Sequence, residues 1–174
     1  MSNYKELLRH ITTFVFDYDG VLTGGTVLIN TDGELLRTAN VKDGYALKFA
    51  RELGYNIAII SGGKSESVRL RFKPLGINDV FLHASDKLSI FNQYLSDNQI
   101  SPEQVLFMGD DIPDFPLMER AGVGCCPADA AEEIKKAARY ISHLQGGDGC
   151  ARDVIEQVLK IQGKWFNSSQ AFIW

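Results

Sequence analysis

The 174 residues are 45% hydrophobic and 23% charged, with 18 Lys and Arg against 22 Asp and Glu for a formal charge of −4. This describes a globular chain with one core and excludes a nucleic-acid surface, which needs clustered cations to meet phosphates. No apolar run approaches the roughly 20 residues of a spanning helix, and 1–10 lack a signal-peptide apolar region, so no membrane is expected and the cytoplasm is the expected location.

Along the chain, short β-branched and aromatic runs alternate with segments of helical period. This pattern predicts an α/β fold with a doubly wound, mostly parallel sheet. The first strand is expected over 11–16. Next, 26–30 and 34–38 flank Thr31-Asp32-Gly33, and Asp-Gly between two strand-like runs predicts a β-hairpin projecting from the sheet over about 24–39. A helix over 46–53 stops at Gly54. Strands are then expected over 56–60, 79–82, 104–108, 123–125 and 140–141, and helices over 64–74, 86–97, 114–121, 130–138 and 152–160. The residues from about 162 to 174 form a tail whose Trp165, Phe166, Phe172, Ile173 and Trp174 either fray or dock. Cys125, Cys126 and Cys150 cannot pair completely and lack zinc-type spacing, so they read as small buried apolar residues. Without repeats or a linker rich in Gly, Pro or Ser, 1–174 reads as one domain.

The chemistry gathers at the carboxyl ends of these strands, the edge where open α/β sheets bind ligands. The first strand runs into Asp17-Tyr18-Asp19-Gly20, which puts two carboxylates on one side of an extended segment with a glycine to turn the chain. The strand over 104–108 delivers Gly109-Asp110-Asp111, and Asp114 follows one turn later. If the two strands are adjacent, five carboxylates share one crevice and require a counter-charge. A hard divalent cation suits this oxygen-only donor set, Mg2+ in particular. Ser61-Gly62-Gly63 then opens a helix, where exposed N–H groups favour an anion, and Lys87 supplies an ammonium. Together these parts suit phosphoryl transfer through an aspartyl-phosphate.

The order Asp17-x-Asp19-Gly20-Val21-Leu22-Thr23, Ser61-Gly62, Lys87, Gly109-Asp110-Asp111-x-x-Asp114 resembles the four motifs of the haloacid dehalogenase superfamily of phosphatases. The resemblance implies a Rossmann-like sheet, Asp17 as nucleophile and Asp19 as general acid and base. It further implies Ser61, Gly62 and Lys87 on the phosphoryl group, and Mg2+ held by Asp17, Asp110 and the Asp19 backbone carbonyl. Asp111 and Asp114 would support the metal. Asn40-Val41-Lys42-Asp43-Gly44-Tyr45, the glycine loop Gly146-Gly147-Asp148-Gly149 with Arg152, and Gln162-Gly163-Lys164 are similar to one branch of that superfamily. Its members lack a cap domain and hydrolyse 3-deoxy-D-manno-octulosonate 8-phosphate for lipopolysaccharide synthesis. That likeness covers nearly the whole chain and implies a homotetramer with shared active sites and substrate contacts from Lys42, Asp43 and Arg152. One departure stands out: Gly63 takes a place where such proteins usually carry Arg, which leaves a nine-carbon keto sugar acid 9-phosphate as the alternative substrate.

Several residues have plainer readings. Asp111 could cap the next helix, Ser61 could cap the helix over 64–74, Lys42 and Asp43 could cap the helix near Tyr45, and Arg152 could pair with Glu156. Two other function classes compete. A phosphoacceptor receiver domain would carry its acceptor after a mid-chain strand and an acidic pair without the intervening residue, unlike Asp17-x-Asp19. A non-catalytic assembly domain would have no need of the full set of Asp17, Asp19, Ser61 and Lys87.

Overall fold

The computed structural model describes residues 4–166. In chain order the strands are β1 (Thr13–Phe16), β2 (Leu28–Ile29), β3 (Leu35–Leu36), β4 (Asn56–Ile60), β5 (Asp79–Phe81), β6 (Val105–Met108), β7 (Val123–Cys126) and β8 (Tyr140–Ile141). The helices are α1 (Tyr4–Leu7), α2 (Val41–Glu52), α3 (Ser67–Phe72), α4 (Lys87–Asp97), α5 (Phe115–Arg120), α6 (Glu132–Ala137) and α7 (Cys150–Ile161). Six strands form one sheet in the order β5-β4-β1-β6-β7-β8, with every pairing parallel.

Side-chain alternation explains why helices cover both faces. Along β1, Phe14 and Phe16 join Ile57, Ile59, Leu106 and Met108 under α2, α3 and α7, while Val15 joins Ala58, Ile60 and Phe107 under α4, α5 and α6. A strand buried on both faces is dominated by apolar residues, which is why Phe14-Val15-Phe16 reads as a continuous run rather than an alternating one. Truncating Phe14, which is fully buried, to alanine costs about 3–5 kcal/mol on this packing.

The sheet grows outward from β1 in both directions, so the carboxyl edge between β4, β1 and β6 is the switch point of the winding. Asp17, Ser61 and Asp110 each sit just past the end of one of these three strands. Between Asp19 and Ser61 the chain forms the hairpin, α2 and β4, and between Lys87 and Asp110 it forms α4 and β6. Among the described residues no cap domain covers this edge.

The hairpin is present but shorter than expected, with only Leu28↔Leu36 and Ile29↔Leu35 in register. Its turn is held by Asn30, whose Oδ1 accepts from the backbone N–H of Asp32 and Glu34, while Gly33 adopts φ +79°. Helix α2 starts at Val41, five residues before the expected start at 46, because Asn40 caps it by accepting from the Lys42 N–H. Conversely, α3 starts at Ser67, three residues late. The three cysteines are buried and free. Trp165 docks edge-on against Tyr45 and Phe49, so the start of the tail is packed, while Phe172, Ile173 and Trp174 lie outside the described residues.

Candidate active site

The crevice at the switch point begins with the way β1 ends. The Asp17 N–H donates to the Met108 carbonyl at 2.9 Å, which carries the sheet pattern one residue further, and the Tyr18 N–H turns back to Asp17 Oδ1 at 2.7 Å. Gly20 follows at φ +89°, and a Cβ there would collide with the Asp110 carboxylate. Gly109 likewise has no room for a side chain because the Asp114 carboxylate lies against it. Two glycines thus let carboxylates from two strands approach closely.

Lys87 is the internal counter-charge. It is the first residue of α4, and its Nζ lies 3.0 Å from Asp17 Oδ1 and 2.7 Å from Asp114 Oδ1. Asp114 is fully buried, and its Oδ2 accepts from the Asp110 N–H at 3.0 Å. It therefore fixes both Lys87 and the backbone that presents Asp110. Asp111 is exposed and accepts from the Ile112 N–H at 2.8 Å, so it caps a short 3₁₀ turn, as the plainer reading allowed. Ser61 is buried and accepts from the Gly63 N–H at 3.0 Å. It does not cap a helix, since α3 begins six residues later. With Gly62 and Gly63 it lines a crevice of about 480 Å3 shared with Asp17, Asp19 and Asp110.

One cation does not balance this cluster. Burial first, and Asp114 second, push Asp17 well above the usual carboxylate range against the opposing pull of Lys87. Burial and Asp114 push Asp110 up to about 7. For Lys87, burial works to lower the ammonium, but Asp17 and Asp114 hold it above its ordinary value. Carboxylate oxygens of Asp17, Asp110 and Asp114 lie within 4.8 Å of one another, and Asp110 Oδ1 is buried with no donor among the described residues. An orphaned anionic oxygen in an all-oxygen cluster fits a hard divalent cation.

Lys42, Asp43 and Arg152 are not brought to this crevice. Asp43 projects from α2 and accepts from the Arg152 N–H at 2.7 Å, so it caps the first turn of α7 from a neighbouring helix. Burial pushes it up to about 6. The Arg152 guanidinium lies over the rings of Tyr45 and Trp165 and pairs with Glu156, and Lys42 is exposed beside it. The glycine loop is pressed onto the turn after Asp19, with the Gly147 N–H donating to the Val21 carbonyl at 2.9 Å.

Arg37 is absent from the expectations yet reaches the site. From the strand β3 side of the hairpin, its Nε donates to Asp19 Oδ1 at 2.5 Å and its Nη2 to Asp19 Oδ2 at 3.0 Å. A lone arginine in a hairpin carries no spacing signal that could have singled it out.

Fold and crevice together define a haloacid dehalogenase-like hydrolase, and residues 76–153 match the family model of that description. The chain is 37% identical to the 3-deoxy-D-manno-octulosonate 8-phosphate phosphatase of Salmonella typhi over 90% of this chain and 83% of that one. The crystal structure of the Yersinia pestis phosphatase of that name superposes with a TM-score of 0.93 at 31% identity, covering 95% of this chain and 90% of that one. The Moraxella catarrhalis enzyme, solved with magnesium ion, phosphate ion and a KDO molecule, superposes with a TM-score of 0.91 at 31% identity, covering 99% and 97%. The chain belongs to the 3-deoxy-D-manno-octulosonate 8-phosphate phosphatase family, which removes the receiver and assembly-domain readings.

Proposed function

We propose that this chain is a Mg2+-dependent phosphatase that hydrolyses 3-deoxy-D-manno-octulosonate 8-phosphate in lipopolysaccharide sugar synthesis, with Asp17 as nucleophile. A carboxylate oxygen of Asp17 attacks phosphorus, the bond from phosphorus to the sugar oxygen breaks, and Asp19 gives that oxygen its proton. Asp19 then takes a proton from water, whose oxygen attacks the phosphoryl group and returns Asp17 with release of inorganic phosphate. Ser61 and the backbone at Gly62 hold the phosphoryl oxygens, and Lys87 offsets their charge. Asp17, Asp110 and the Asp19 carbonyl would hold Mg2+, with Asp111 and Asp114 supporting; the ion supplies charge neutralisation on the phosphoryl oxygens.

The observation that carries this reading is the crowded cluster in which Asp110 Oδ1 has no donor among the described residues while Lys87 is committed to Asp17 and Asp114. Phosphate release from the eight-carbon 8-phosphate, with Mg2+ and after chelation, tests it. Turnover is expected only with metal; equal turnover in chelator contradicts it.

The proposal includes a homotetramer in the cytoplasm. Its support is the hairpin, whose Leu28 and Ile29 are 68% and 65% exposed. Among the described residues no helix is long and apolar enough to cross a membrane. Light scattering is expected to give four times the chain mass.

A further inference from the structure

We infer that Arg37 is a specificity-determining residue that receives the substrate's second anionic group, the carboxylate of the sugar acid. The inference rests on the sugar-acid phosphatase reading above and extends it from the phosphoryl end to the far end of the substrate.

Beside the acidic crevice lies a second groove of about 740 Å3 between the hairpin and the segment 62–70. The two cavities share Gly62 and Gly63 as lining, so they adjoin along that segment. Asp19 stands on the crevice side of the junction and Arg37 on the groove side. A leaving-group oxygen must sit within hydrogen-bond reach of the acid that protonates it, so the body of the substrate passes Asp19 and continues toward Arg37.

Arg37 is built into this junction rather than left on the surface. Its side chain is only 9% exposed, although the neighbouring Leu35 and Leu36 are 43% and 45% exposed. A guanidinium has five N–H donors. Nε and one Nη2 donor meet Asp19, and one Nη1 donor meets the Leu35 carbonyl at 2.9 Å. Among the described residues, the remaining donors, one on each terminal nitrogen, have no acceptor. Two donors on adjacent nitrogens of one planar group suit a carboxylate. Lys87 is already committed to Asp17 and Asp114 and cannot serve both ends of a substrate that carries a phosphate and a carboxylate.

Gly63 completes the argument. A Cβ at that position would lie 3.4 Å from Asp19 Oδ2 and 3.9 Å from Arg37 Nη2. The same Cβ would lie 3.1 Å from Ser61 Oγ, so a side chain at 63 would crowd the corner where Ser61, Asp19 and Arg37 meet, and glycine leaves that corner open. The guanidinium lost from the second motif is replaced from 26 residues earlier in the chain.

The test is steady-state phosphate release by the full chain with Mg2+, comparing 3-deoxy-D-manno-octulosonate 8-phosphate with glucose 6-phosphate, which has no carboxylate. In Arg37→Gln the ratio of kcat/KM for the acid over the neutral sugar is expected to fall about 10- to 100-fold, through KM for the acid. Arg37→Lys, which keeps the charge without the fork, is expected to recover part of that ratio, and it carries the comparison if the glutamine variant fails to fold. A ratio within about threefold of wild type in both variants, including equal losses on both substrates, overturns the inference. A wild-type chain that releases phosphate from neither compound overturns the phosphatase reading itself.

Discussion

The acidic crevice and the hairpin are opposite kinds of structure on one sheet edge. In the crevice the central charged groups are buried and shared: Lys87 bridges Asp17 and Asp114, and Asp114 also fixes the backbone at Asp110. The hairpin has two paired residues per strand and turns Leu28, Ile29, Leu35 and Leu36 toward solvent, and the fork of Arg37 on Asp19 ties it to the crevice. In the crevice Lys87, Asp17 and Asp114 meet one another within a single chain, whereas the hairpin presents a surface that a single chain does not bury. On the proposed reading the buried cluster carries the chemistry, and the hairpin contributes recognition through Arg37 where it meets Asp19.

The largest effect expected on either region is at Asp17. Asp17→Asn replaces an attacking carboxylate by an amide and should lower kcat by about 10⁴-fold or more, measured as phosphate release in a preparation checked for deamidation. Next come the two ion pairs. Asp114→Ala strips partners from a buried lysine and from the Asp110 backbone, and should cost about 3–5 kcal/mol in a denaturant melt. Arg37→Gln, which breaks the pair at the hairpin, should cost about 1 kcal/mol or less. Equal costs would erase the distinction between the two regions.

A smaller effect concerns Mg2+ and pH. In the metal-free fold Asp17 and Asp110 lie above their unfolded value of 3.8, with Asp110 at about 7. Stability from a raised carboxyl is full below the unfolded pKa and is lost as pH climbs through the folded one. Mg2+ replaces the missing proton, so the rise in Tm on adding Mg2+ should grow between pH 5 and pH 8, and a rise that shrinks would contradict the charge account. The smallest effect on folding is expected at Leu28→Glu. It should change the stability of the single chain by about 0.5 kcal/mol or less while lowering the mass seen by light scattering.

What the sequence disclosed follows the same division. Asp17, Asp19, Ser61 and Asp110 directly follow apolar strands, so local pattern alone placed them at the correct edge. Longer-range partnerships carried no such signal. Lys42 and Asp43 read as caps of a helix near Tyr45, yet both lie inside α2 with Gly44, and the cap that starts the helix is Asn40. Asp43 and Arg152 are 109 residues apart and look like two ligands; they meet as a cap between helices. The pairing of Arg37 with Asp19 depends on how the hairpin folds back, which no spacing rule encodes.

The aspartyl-phosphate on Asp17 is the central claim, and trapping it is the most direct test. With Asp19→Asn, Mg2+ and 3-deoxy-D-manno-octulosonate 8-phosphate, attack by Asp17 can proceed but water activation cannot, so peptide mass spectrometry should find a phosphoryl group on Asp17. A phosphoryl group on another residue, or steady turnover by this variant with no covalent adduct, would contradict the account.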